Sequence, residues 1–358
     1  MSTRAPASAR IPLLISACLR FLPVALLMVP LFGCGAGGGE TEFAGEAQGT
    51  TYHIKVVLDG LPIDRSRLRD EIALVFKRVD EKLSNYREDS EISRLNQVDS
   101  TEWLDVSPEI MQLLVIGSEV HRASAGCYDL TVKPLFDLWG FSKPEHHVPD
   151  PDEIKGALKR VGMAKLQIDA AHLRVRKSMP GLQIDLSSIA QGYTVGAVAD
   201  VLERNGIMNY LAEIGGELKV KGAKANGANW RVAIEKPVPM TRDVQRILDL
   251  DQRSGVAVMT SGTYRNFFED RGQTFSHILD PRLGKPVVHH LLSVTVLHED
   301  PTWADAWSTA LLCLGDRDGP EVAKARGLKA MFIIGRDQRL EEVFSPAFSP
   351  DKPGASTK

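Results

Sequence analysis

Residues 43–344 run without a linker, an internal repeat or a low-complexity tract, and that continuity most limits what the chain can fold into. Length alone allows two domains or one large one. An undivided stretch instead predicts a single body around one core. Thr50–Leu58 (TTYHIKVVL) is rich in β-branched residues and reads as a strand. Leu68, Ile72, Val75, Val79 and Leu83 recur at three- and four-residue steps, the period of an amphipathic helix. Ser107-Pro108-Glu109 opens a second helix with a cap residue and a first-turn proline. A third is expected from about Ser188 to Asn205, and a fourth capped by Thr302 and running through Leu314. Strands are expected at Leu182–Asp185, Tyr210–Glu213, Leu218–Lys221, Trp230–Glu235, Leu291–Leu297 and Lys329–Ile334, among others. The mixture predicts an α+β domain. No GxGxxG follows a first strand and no P-loop is present, so the common dinucleotide and triphosphate cradles are excluded.

The two ends read differently from this body. Residues 1–33 carry Arg4, Arg10 and Arg20 and no acid, then an apolar run from Phe21 to Phe32 that closes on Gly33-Cys34. A basic start, an apolar stretch and a small residue before the cut mark a secretory signal. A cysteine directly after it resembles a bacterial lipobox, in which Cys34 would be lipidated and become the mature N-terminus. The competing reading, an uncleaved anchor from Ile11 to Phe32, would hold Arg20 and three prolines within the span, and a mid-span arginine costs about 2.5–3.5 kcal/mol. Either reading places the body outside the cytoplasm. Residues 34–42 (with GAGGG at 35–39) are expected to be a flexible tether, and residues 345–358 a polar, frayed tail.

The 43 Lys and Arg against 46 Asp and Glu give a formal charge of −3, and removing residues 1–33 takes it to −6. Neither value leaves a basic footprint for nucleic acid. With Cys18 lost and Cys34 lipidated, Cys127 and Cys313 remain. They are read as two buried thiols, with one disulfide as the alternative.

Six polar stretches carry residue types that chemistry uses. Tyr86 follows a helix in a polar turn, where a tyrosine stacks on a planar ligand or covers the core. Gly126-Cys127-Tyr128-Asp129 combines a close-approach glycine with polar groups, and Trp139 follows as a core residue. Ser187 and Ser188 stand where a strand gives way to a helix start, which suits phosphate. Gly215-Gly216 reads as a bulge, a ligand approach or an ordinary turn. His277 precedes Asp280-Pro281 and has a side chain that moves protons near neutral pH. Asp305 and Thr309 are i and i+4 on one helix face, a pair that holds a hard cation through oxygen or simply bonds internally.

Taken in order, the stretches LSNYREDSEISRLN, GCYDLTVKPLFDLWGF, DLSSIAQGYTVGAVADVL, EIGGELKVKG, VMTSGTYRNFF, HILDPRLGKPV and ADAWSTALLCLG resemble the FAD:protein FMN transferase family, the ApbE-like flavin transferases. The resemblance spans Phe43 to about Gly335, and the lipoprotein start agrees with it. It implies a single flavin-transferase domain of the thymidylate synthesis-like, ApbE type, after a lipoprotein signal peptide. It implies magnesium-dependent transfer of FMN from FAD to a threonine or serine hydroxyl of a target protein, with AMP released. Asp305, Thr309 and the backbone carbonyl of Ala190 match the family's magnesium ligands. Gln48, Tyr86, Cys127, Tyr128, Asp129, Ser187, Tyr193 and Ile278 fall where the family contacts FAD, and His277 where a base would take the acceptor's proton. Gln48 and Gln191 stand where the family often has methionine and lysine. The acceptor implied is a membrane redox subunit carrying a short Ser/Thr motif. A hydrolase giving FMN and AMP, or an FAD-binding lipoprotein without activity, are the alternatives. Localisation would be a bacterial membrane surface facing the periplasm or cell exterior.

Overall fold

The computed structural model describes residues 39–348 apart from 143, 144, 240, 242, 250–252 and 338. The expected signal peptide (1–33), Cys34, residues 35–38 of the tether and residues 349–358 of the tail lie outside the described residues.

Eight strands form one antiparallel sheet: β1 (Glu40–Ala47), β2 (Thr50–Val57), β3 (Tyr210–Ile214), β4 (Glu217–Lys221), β5 (Val256–Gly262), β6 (Leu291–His298), β7 (Lys329–Arg336) and β8 (Arg339–Phe344). Each lies beside the next in chain order, so the sheet is a meander. Everything else is inserted between neighbouring strands. The longest insertion, between β2 and β3, carries helices α1 (Arg65–Leu83), α2 (Pro108–Ala123) and α3 (Ala190–Arg204). Helix α4 (Pro301–Ala325) joins β6 to β7 and is interrupted at Gly315, whose φ is 80°. Its N-cap is Asp300, which accepts from the Thr302 amide at 2.7 Å, in place of the expected Thr302 cap.

Alternation along the strands gives the sheet two apolar faces. On β5, Ala257 and Met259 join the helix-side core while Val258 joins the opposite one. On β7, Ala330, Phe332 and Ile334 face the helices, and Met331 and Ile333 the far side. The far side is covered by a hairpin inserted between β4 and β5, with strands Arg231–Glu235 and Val244–Asp249, through Val232, Ile234 and Leu248.

Three expectations need correction. The tether ends before residue 42, because β1 begins at Glu40 and pairs with β2 from Glu40↔Val57 onward. The tail begins later than 345: the Ser345 hydroxyl accepts the Ala330 amide at 2.9 Å, and Phe348 is buried against Phe344. Leu182–Asp185 is no strand. Its neighbours are asparagine side chains: Asn96 brackets Ile184 at 2.7 and 2.8 Å, and Asn85 donates to the Ile184 carbonyl and accepts from Leu186, both at 2.9 Å.

Cys127, in the loop after α2, and Cys313, on α4, form a disulfide with Cα atoms 5.8 Å apart. Packing of α4 beside that loop sets the spacing a bridge needs, so the two-thiol reading gives way to the bonded pair. Replacing both cysteines by serine is expected to lower the unfolding free energy by about 2–4 kcal/mol. The check is a lower urea midpoint under non-reducing conditions, with the wild-type midpoint falling to match on adding reductant.

Candidate active site

A cavity of about 650 Å³ opens at one end of the sheet. That size accommodates a nucleotide-sized molecule. Its lining comes from several connections: the Tyr86 loop, the 127–129 loop, Asp185 to Ser188, the β3–β4 turn, the far-side hairpin, the end of β5, the 277–281 segment and α4.

The floor is set by α4. Asp305, Thr309 and Cys313 are spaced by four, so one face of the helix presents all three to the cavity. Asp305 Oδ2 accepts the Gly192 amide of α3 at 2.7 Å. The contact depends on a glycine: a Cβ at residue 192 would lie 2.4 Å from the Pro301 carbonyl oxygen and 2.6 Å from Asp305 Cβ. Burial pushes the Asp305 carboxyl up to about 7, with the Gly192 amide opposing. Glu217, the first residue of β4, is buried in the same lining, and its carboxylate accepts the Thr260 amide at 3.0 and 3.2 Å. Burial, and then the neighbouring Asp305 charge, raise it well above the carboxylate range.

Six carboxylates line the cavity (Asp129, Asp185, Glu217, Glu235, Asp243 and Asp305) with Arg265 the single Lys or Arg among the described residues. Arg265 is itself paired with Glu235. An anionic ligand entering here meets net negative charge, so it needs a cation to accompany it. The Asp305 and Thr309 side chains supply oxygen donors of the kind a hard divalent cation takes, and they suit magnesium better than a soft metal.

The walls are pre-shaped by internal bonds. Asp129 spends its carboxylate on the Thr131 amide (2.7 Å), the Thr131 hydroxyl (2.5 Å) and the Met163 amide (3.0 Å), so it organises its loop. Tyr128 is buried, accepts from the Ser188 hydroxyl at 3.1 Å, and is held protonated by burial. Asp185 receives the Ser187 amide at 2.8 Å, leaving Ser187 exposed at the rim. Tyr86 is 76% exposed at the mouth, with its ring open to stacking. Gly215 and Gly216 both have positive φ, 61° and 96°, and close the two-residue turn between β3 and β4, so the glycine pair is a hairpin turn on the cavity wall. His277 Nδ1 lies 2.8 Å from the Asn266 carbonyl oxygen, which only accepts. The ring proton therefore sits on Nδ1 and Nε2 keeps its lone pair. Desolvation lowers the His277 pKa, so the ring stays neutral at physiological pH.

Of the residues read from sequence, Tyr86, Cys127, Tyr128, Asp129, Ser187, His277, Ile278, Asp305 and Thr309 meet in this cavity. Three do not line it. Gln48 occupies the β1–β2 turn at φ 55°. Tyr193 lies on α3 in the field of Glu109 and Arg78. Ala190 opens α3 two residues before Gly192, and its carbonyl accepts the Thr194 hydroxyl at 2.8 Å. Sequence reasoning passed over Glu217, Asp185 and Ser261. The signals were present in EIGGE, in QIDLSS and in MTSG, but an acid or serine beside a turn has no periodicity to announce it.

The family model for the ApbE family matches residues 48–332. The chain belongs to the ApbE family. Among its relatives, the FAD:protein FMN transferase of Vibrio cholerae is 38% identical over 323 residues, covering 89% of this chain and 95% of the relative. The FAD:protein FMN transferase of Haemophilus influenzae is 36% identical over 315 residues, covering 86% and 90%. The solved flavin transferase ApbE from Vibrio cholerae superposes with a TM-score of 0.78 at 37% identity, over 87% of this chain and 98% of that one. The apo flavinyl transferase ApbE of Pseudomonas stutzeri gives 0.78 at 37% identity, over 86% and 95%. The α+β architecture expected from sequence is the architecture of these structures.

The two raised carboxyls have a consequence for stability. A carboxyl whose folded pKa lies above its unfolded value binds its proton more tightly when folded. Its contribution is full below the unfolded value, near pH 4, and is lost as pH rises through the folded one, about 7 for Asp305. In EDTA, the melting temperature is expected to carry a component that declines over this window. Asp305→Asn should reduce it to the part that buried Glu217 contributes, as read by differential scanning calorimetry across pH.

Proposed function

We propose that this chain transfers the FMN half of FAD to a threonine or serine hydroxyl of a target protein, forming a phosphoester and releasing AMP, with magnesium required. The observation that carries the reading is the meeting, in one acidic cavity, of the Asp305–Thr309 oxygen pair with a neutral His277 whose Nε2 is free. Family membership and the names of the relatives support the same chemistry.

Each group has a task it is built for. Asp305 and Thr309, with the Ala190 carbonyl as the third oxygen implied by the family, would hold magnesium. When bound there, the ion supplies charge neutralisation for the diphosphate and for the departing AMP. Tyr86 at the mouth offers its ring to the flavin or adenine plane. Ser187 and Ser188, held by their bonds to Asp185 and Tyr128, shape the wall along which the substrate would lie. His277 Nε2 takes the proton of the acceptor hydroxyl as its oxygen attacks the phosphorus on the FMN side. The remaining lining holds the two reactants in line, where most of the rate gain of a displacement arises.

Incubation of the enzyme with FAD, magnesium and an acceptor peptide bearing a Ser/Thr motif should add one FMN mass to the hydroxyl residue by mass spectrometry. Asp305→Ala is expected to abolish the addition, and His277→Ala to slow it by about 10²–10⁴-fold while FAD still binds. Free FMN with no labelled acceptor would mark a hydrolase instead.

The N-terminal reading places the enzyme on a bacterial membrane through lipid on Cys34, facing the periplasm or exterior, beside membrane redox subunits as acceptors. Cys34→Ser should move the protein from the membrane fraction to the soluble extracytoplasmic fraction. A variant that stays with the membrane would count against the lipid anchor.

A further inference from the structure

Three hydroxyls at the cavity floor form a chain with a defined direction. Ser308 Oγ donates to the Asp305 backbone carbonyl at 2.8 Å, and a carbonyl only accepts, so the single hydroxyl hydrogen of Ser308 is spent there. Ser308 Oγ also lies 2.7 Å from Ser261 Oγ, so in that contact Ser261 must donate. Ser261 Oγ lies 3.0 Å from Thr309 Oγ1. With the hydrogen of Ser261 already used, Thr309 is the donor in this last bond. The order is therefore Thr309 to Ser261 to Ser308 to the Asp305 carbonyl.

The consequence falls on Thr309. Its hydrogen is directed at β5, and the lone pairs of its oxygen are left for the cavity it lines. A helical threonine otherwise tends to bond the carbonyl three or four residues back. Here that carbonyl, on Asp305, already receives Ser308. Ser261 is itself placed by a rigid support: it pairs opposite Val294 on β6, and the amide of its neighbour Thr260 is held by the buried Glu217 carboxylate.

We propose that Ser261 is a positioning residue for the cation site: it takes the Thr309 hydrogen and so presents the Thr309 oxygen as a pure acceptor to a hard divalent cation. This rests on the cation reading above. In this role Ser261 acts on the cation through Thr309.

The test uses manganese as the probe and the full chain in detergent, titrated without FAD and followed by the loss of the free Mn²⁺ EPR signal. Loss of an outer partner of a metal ligand costs about 10- to 100-fold in affinity. Ser261→Ala is expected to weaken Mn²⁺ binding by that factor while the metal-free melting temperature holds. Ser261→Cys fills the same space with a poor acceptor and should show the same loss, which guards against a folding defect in the alanine variant. Ser261→Thr keeps the hydroxyl and should restore binding. Wild-type affinity in both Ser261→Ala and Ser261→Cys, with binding lost in Asp305→Asn, would overturn the positioning role alone. Wild-type affinity in Asp305→Asn as well would overturn the cation reading and this proposal with it.

Discussion

The bond from the Gly192 amide to the Asp305 carboxylate, 2.7 Å long, is the contact on which the site depends. It joins the first turn of α3 to the first turns of α4 where only a hydrogen atom separates the helices. The start of a helix carries unsatisfied amides and a positive dipole end, so a carboxylate is welcome there even when buried. The same contact fixes which face of α4 meets the cavity, and with it Thr309 and Cys313. The disulfide from Cys313 to Cys127 then brings in the 127–129 loop, and the Ser188–Tyr128 bond returns to the segment before α3. The ring of contacts closes on itself.

Buried carboxylates set the electrostatic character of this arrangement. Taking Asp305 and Glu217 out of water costs free energy unless each is protonated or matched by positive charge. Arg265, the one arginine in the lining, is committed to Glu235. Burial therefore favours the protonated form of both side chains over the charged one.

Much of this was legible in the residues. The periodicity of Leu68, Ile72, Val79 and Leu83 placed α1 correctly because burial in the helix-side core demands a continuous apolar stripe. The i, i+4 spacing of Asp305 and Thr309 put both on one face, as found. The edge strands were hidden because they hardly touch the core: β1 buries only Phe43, and β8 is charged along its length. Polar edges of this kind discourage pairing with other chains. The central strand β5 was missed for another reason. It ends in Thr-Ser-Gly, a turn-like sequence, since its last residues serve the cavity. Leu182–Asp185 showed the opposite error: its pattern suits a strand, but the asparagines that pair with it lie some hundred positions away in sequence. The lipid anchor and acceptor belong to parts of the problem that the described residues do not touch.

The sequential order of the sheet keeps the floor of the cavity and its outer wall on separate excursions of the chain. The floor comes from α3 and α4, packed against the meander. The outer wall at Val232–Glu235 and Val244 comes from a hairpin that leaves β4 and returns to β5, its immediate neighbour. Lengthening, shortening or exchanging that excursion alters no strand pairing in the sheet. A lineage could thus reshape this wall of the cavity while the helices beneath it stayed as they were.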